Sequence, residues 1–177
     1  MNDAPAADPA SGPEPVADRP HVPEYGIPTD LAGLLPWGWA TERLTTARQY
    51  WLATAGPDGR PHVIPIWGAW TRRGMWFEGG LRTRYARNLD ANPLVVVTLE
   101  RERDVVILEG VATRIAEPDA DLDAALVRAF AKYIATDDYR VDPANWRVGG
   151  LWRVTPVTAF GWSDYPADAT RWRFPAG

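Results

Sequence analysis

Short apolar runs cut by tight-turn residues dominate this chain, and one segment alone keeps apolar residues at helical spacing over several turns. Tyr50 to Thr54 reads as a strand. Pro57-Asp58-Gly59 follows as a turn, because Pro fixes φ, Asp bonds nearby backbone and Gly accepts positive φ. The return strand, about 60–70 (RPHVIPIWGAW), is apolar at both parities and therefore needs cover on both faces. Pro65 lacks an N–H and belongs at an edge or bulge. Arg72-Arg73-Gly74 predicts another turn, Met75 to Glu78 a third strand, and Gly79-Gly80 a break. Residues 94–100 and 105–115 predict two buried strands joined by a charged hairpin at 101–104, and 150–162 a final strand. Helices are predicted over 37–49, with Leu44 and Ala47 on one face, and over 83–91, where Thr83 is the N-cap and Asn92-Pro93 the stop. Pro118 opens the long helix, in which Leu122, Leu126, Phe130 and Ile134 recur every four residues. Six strands with short turns and one long helix predict a mainly β fold, an antiparallel barrel with added helices.

Residues 1–28 carry seven prolines and little that packs, which predicts a disordered leader ahead of one domain over 29–177. That leader holds most of the charge imbalance. The whole chain is −4, and residues 29–177 contain 18 acids and 18 bases. A neutral body is a poor match for nucleic acid. No run is long and apolar enough to span a bilayer, and the N-terminus lacks a signal pattern, so the expectation is a cytoplasmic protein away from membranes. With no cysteine and two histidines, His21 and His62, no metal site is expected. Ten tryptophans are harder to assign to a core alone, since Trp is enriched at interfaces and pockets.

The stretch 58–93 concentrates the candidate chemistry. A Gly-Gly break leads into a helix start with Arg82, Arg84 and Arg87 within a turn of it, and free N–H groups with cations make an anion site. The same arginines are equally explained as a solvated surface, with Glu78 and Asp90 as counter-ions.

The order DGRPH, a strand, WF, Gly-Gly, TRYARNL and NP, followed by DVVILEGVA and LWRVTPVTAFGW, resembles the pyridoxamine 5′-phosphate oxidase-like proteins over residues 40–173. These include FMN-dependent and deazaflavin (F420)-dependent oxidoreductases. The resemblance implies a six-stranded split β-barrel of the FMN-binding type, a homodimer, and a cofactor in the groove between subunits. It places Arg84 at a phosphate-contacting arginine and Thr83 at the hydroxyl before it. Trp162 falls at an aromatic residue closing over the ring, and Arg171 or Arg173 at a late arginine near cofactor or substrate. This chain departs from the FMN-binding pattern at four places. Ile64 stands where an arginine is usual, Tyr85 where a lysine is usual, and Glu78-Gly79 where hydroxyl side chains are usual.

The leading expectation is a homodimeric oxidoreductase passing hydride between F420, or alternatively FMN, and an organic substrate, with Pro65 and Trp67 also against the cofactor. His62, Trp70 and Trp76 are candidate pocket residues, and Tyr50, Tyr85 or His62 candidate proton donors; no catalytic residue is assigned. The alternative is a non-enzymatic carrier of a planar molecule such as haem or a flavin, with His62 as the axial ligand.

Overall fold

The computed structural model describes residues 14–71, 74–99 and 103–175. Nine antiparallel strands form one curled sheet among them: β1 (Val16–Asp18), β2 (Tyr50–Ala55), β3 (Pro61–Ile66), β4 (Ala69–Thr71), β5 (Gly74–Glu78), β6 (Leu94–Leu99), β7 (Val105–Ile115), β8 (Leu151–Trp162) and β9 (Thr170–Arg173). The order is β1-β9-β8-β7-β6-β2-β3, and β5, carrying β4, pairs with the other end of β8. The long strand β8 thus serves two partial edges, which splits the barrel. The helices are α1 (Trp37–Thr46), α2 (Arg84–Ala91), α3 (Ala120–Phe130), α4 (Ile134–Asp137) and α5 (Pro143–Gly149), with a 3-10 turn at Ala131–Tyr133.

The mainly β split barrel agrees with the pattern in the sequence, but nine strands replace the six expected. The predicted strand over 60–70 is two strands. Between them the chain turns a corner at Gly68, where a Cβ would lie 2.1 Å from the Met75 methyl and 2.8 Å from the Trp76 carbonyl. The Tyr133 hydroxyl secures this corner. It accepts from the Gly68 N–H at 3.0 Å and lies 2.9 Å from the Gly68 carbonyl and 2.7 Å from that of Arg48. Strands β1 and β9 were not predicted at all. Residues 14–28, expected to be disordered, run along the barrel. Asp18 pairs with Arg171 and Arg173 at 2.7 Å each, and Arg19 donates to the backbone carbonyls of Asp30, Ala32, Ala167 and Ala169. A charged residue at a strand end satisfying several carbonyls offsets the cost of ordering a proline-rich segment. Residues 1–13 of the predicted leader, Arg72-Arg73 of the predicted turn, Glu100 at the end of the predicted strand 94–100, and Arg101 and Glu102 of the charged hairpin lie outside the described residues.

Two cores hold the fold. The barrel interior packs Tyr50, Leu52, Met75, Phe77, Leu108, Val154 and Trp172 against α1 through Ala40 and Leu44. The second core lies under α3, where Leu126, Phe130, Tyr133 and Trp146 bury against Ala69, Trp76 and Leu151. Full burial of Leu126 or Phe130 is worth about 1.5–3 kcal/mol each. Between β7 and β8 the register shifts after Glu109, with Gly110 opposite Pro156. A Cβ at Gly110 would sit 2.3 Å from the Thr155 carbonyl oxygen, so this bulge needs glycine. No helix among the described residues is long and apolar enough to cross a membrane.

Candidate functional site

The free edge of β3 faces the end of β5 and the start of α2 across a cavity of about 450 Å³. The β3 edge supplies Ile64, Pro65, Ile66 and Trp67; the end of β5 supplies Glu78 and Gly79; α2 supplies Tyr85; Phe130, Tyr139, Asn145 and Gly150 close it from the helical side. The four positions at which the sequence departs from the FMN-binding pattern therefore line a single cavity. Their convergence follows from the local chemistry. Thr83 caps α2, its Oγ1 accepting from the Ala86 N–H at 3.3 Å, and this fixes the helix so that Tyr85 points inward. Gly79 makes room for it, since a Cβ there would lie 1.7 Å from the Tyr85 hydroxyl oxygen.

The electrostatics of this cavity are those of an unpaired carboxylate. Glu78 is half-buried, and burial raises its pKa. The Trp146 indole N–H, itself buried, lies close enough to oppose that rise but without hydrogen-bonding geometry. No ion pair reaches Glu78 among the described residues. The Tyr85 hydroxyl is pushed up by burial, with a hydrogen bond to Thr83 lowering it and the Glu78 charge raising it further. No lysine, arginine or histidine lines the cavity. A phosphate placed about 5 Å from the Glu78 carboxylate meets about 3 kcal/mol of repulsion per negative charge at an effective dielectric of about 20. The FMN phosphate does not fit this cavity.

The cations lie outside it. Arg82, Arg84 and Arg87 are all exposed around the N-terminus of α2, two residues or more beyond Gly80 at the cavity mouth, and Arg87 donates to the Arg82 carbonyl at 2.6 Å. They form a positive rim at a helix start. Trp162 is elsewhere. It lines a second hollow, about 690 Å³, with Ile107, Phe160, Tyr165, Arg171 and His21. The outward row of the sheet runs Pro65, Trp51, Thr98, Ile107, Phe160, Arg171, each opposite the next, so Pro65 and Phe160 are four strands apart, about 19 Å.

Other predicted site residues take different places. Trp70 and Trp76, read as pocket walls, are buried in the cores. Trp70 packs edge-on to Trp37, while the Trp76 N–H donates to the Thr71 carbonyl at 3.0 Å. They point to opposite faces of the β4–β5 hairpin, Trp70 into the barrel core with Met75 and Trp76 into the core under α3 with Ala69, and both faces are covered. His62 stands opposite Thr54 on β3 and lines none of the cavities described here. Tyr50 is fully buried; its hydroxyl bonds the end of α1, and burial raises its pKa. Arg171 borders the second hollow and, with Arg173, holds Asp18. Trp146, Tyr139 and Asn145 were missed, because α5 and the loop before it carry no periodic signal.

A sequence profile described as "Pyridoxamine 5'-phosphate oxidase" matches residues 40–162. No curated protein matches the chain by sequence. Among solved structures, a conserved hypothetical protein from Mycobacterium tuberculosis superposes with a TM-score of 0.62 at 24% identity, covering 76% of this chain and 88% of that one. A pyridoxamine 5'-phosphate oxidase-related, FMN binding protein from Nostoc punctiforme gives 0.56 at 19% identity, over 81% and 92%. A protein titled F420 reductase gives 0.50 at 23% identity, over 67% and 94%. At these identities the likeness is one of fold.

Proposed function

Because the chain belongs to the pyridoxamine 5′-phosphate oxidase family, we propose that it is a homodimeric oxidoreductase that binds a planar flavin-type cofactor, F420 rather than FMN. The observation that carries this reading is the separation of charges at the start of α2. The cavity beside Glu78 repels a phosphate monoester, while Arg82, Arg84 and Arg87 form a positive rim on the surface next to it. A tail of dispersed negative charge suits such a rim, where a compact dianion needs a pocket of cations. Thr83 and the free N–H groups of α2 would lie against the same tail. When bound, the cofactor supplies the hydride; the protein's part is to hold its ring and exclude water.

A second copy of the chain is part of this proposal. The outward row described above is open and largely apolar, and Val63, Leu94 and Val157 on the same sheet are 53%, 62% and 54% exposed. Within one chain the α2 rim follows β5, whose last residue Glu78 pairs with Leu151 at the start of β8, whereas Trp162 ends β8, so rim and ring lie toward opposite ends of that 12-residue strand. Two copies packed sheet to sheet can set the β8 end of one beside the β3 edge of the other.

The test is titration of the full chain with F420 and FMN in parallel, reading cofactor fluorescence, together with sedimentation. F420 binding that weakens at least tenfold in Arg84→Glu, with little or no FMN binding, is the expected result. Binding of neither cofactor, tight FMN binding, or indifference to Arg84→Glu would refute the reading.

A further inference from the structure

We infer that the cavity between the β3 edge and the end of β5 is a binding site for a flat organic cation, such as an amidinium or a protonated heteroaromatic amine, with Glu78 as its counter-charge and Trp67 as its aromatic wall. Three observations carry this, and none depends on the cofactor reading. First, the cavity holds a carboxylate that no cation among the described residues neutralises. An unpaired buried charge is costly unless a partner arrives, and here the open side is the cavity. Second, the group that opposes the effect of burial on that carboxylate is the indole N–H of Trp146, which is 1% exposed and carries no charge. The negative charge itself is left for a ligand in the cavity to match. Third, the opposite wall is aromatic and fixed. Trp67 is 41% exposed and stacks on Tyr133 at 5.1 Å, with Tyr139 tilted against it at 4.8 Å. A partly exposed indole held by two tyrosine rings in the same cavity as a carboxylate is the combination that recognises a planar cation, through charge pairing and cation–π attraction.

The backbone leaves the space such a ring needs. Gly79, Gly80, Gly149 and Gly150 line it without side chains, and Gly79 and Gly150 are neighbours on one wall, the Gly79 N–H donating to the Gly150 carbonyl at 3.2 Å. Gly150 needs to be glycine, since it has φ +106° and a Cβ there would meet Leu81 at 2.6 Å.

The experiment uses three isosteric probes, benzamidinium, neutral benzamide and anionic benzoate, titrated into the full chain near pH 7.5 by calorimetry, with inorganic phosphate as a fourth. Benzamidinium should bind at least tenfold more tightly than benzamide, with no measurable binding of benzoate or phosphate. Glu78→Gln should bring benzamidinium and benzamide to within about twofold of each other, and Trp67→Ala should weaken both. Selectivity on the unaltered protein should also fall as the pH is lowered and Glu78 takes up a proton, which gives a readout should Glu78→Gln fail to fold. Equal or tighter binding of benzoate or phosphate, absence of benzamidinium binding up to millimolar concentration, or selectivity unmoved both by Glu78→Gln and by pH would each overturn the inference. Failure of the cofactor reading shows instead in the F420 titration, which none of these probes enters.

Discussion

Replacing Tyr133 by Phe removes one oxygen atom and leaves the ring, so the change isolates the hydroxyl at the Gly68 corner. The ring keeps its stack on Trp67 and its place beneath the Arg48 guanidinium. The hydroxyl accepts one bond, from the Gly68 N–H at 3.0 Å, and has one proton to give, to the carbonyl of Arg48 at 2.7 Å or of Gly68 at 2.9 Å. Each bond is worth about 1 kcal/mol net, and stranding the N–H of the buried Gly68 adds about 1–2 kcal/mol. The sum is about 3 kcal/mol out of a total stability of about 5–15 kcal/mol. Urea unfolding followed by far-UV circular dichroism should show that loss as a lower midpoint at unchanged slope, and a melting temperature lower by about 6–12 °C. A loss below about 0.5 kcal/mol would mean that the hydroxyl does not hold the corner. A changed slope would mean that the substitution altered the unfolded chain instead.

Gly110→Ala puts a methyl group 2.3 Å from the Thr155 carbonyl oxygen, so thermal melts should show a loss of at least about 2 kcal/mol through a forced break in the β7–β8 ladder. The hydrogen bonds and charge of Arg171 hold the Asp18 carboxyl below the usual carboxylate range. A depressed carboxylate pKa means that its stabilisation is present at neutral pH and lost as pH falls through that range, so β1 should become protease-sensitive in acid, and Asp18→Asn should show the same sensitivity already at pH 7. Lys132 has the opposite window. Burial, aided by the Arg48 charge, lowers its pKa to about 7. The unfolded chain therefore binds the extra proton between about pH 7 and 10, and Lys132 should add stability as pH rises across that interval; Lys132→Met should flatten this slope in denaturant titrations.

Local pattern made a large part of this protein legible. The turn at Pro57-Asp58-Gly59, the N-cap of α2, the buried runs of β6 and β7, and the helical face of Leu126 and Phe130 are all dictated by residues within one turn or one strand of each other. The barrel class follows from how many such strands there are and how short their connections are. Four positions that line the β3-edge cavity, Ile64, Glu78, Gly79 and Tyr85, are unusual only against the pattern of the family the sequence resembles.

Tertiary structure decided what those residues do together. That Glu78 and Trp67 line one cavity that no described cation lines, that Arg84 stays on the rim, and that Trp162 ends four strands from the β3 edge are consequences of strand order and of the corner at Gly68. So is the ordering of residues 14–28, where Asp18 finds its arginines more than 150 positions later in the chain. The physical reason is range. Side-chain periodicity records which face of an element is dry, whereas the choice of neighbour, the curl of the sheet and the sign of charge across a cavity depend on residues far apart in sequence, and no local window contains them.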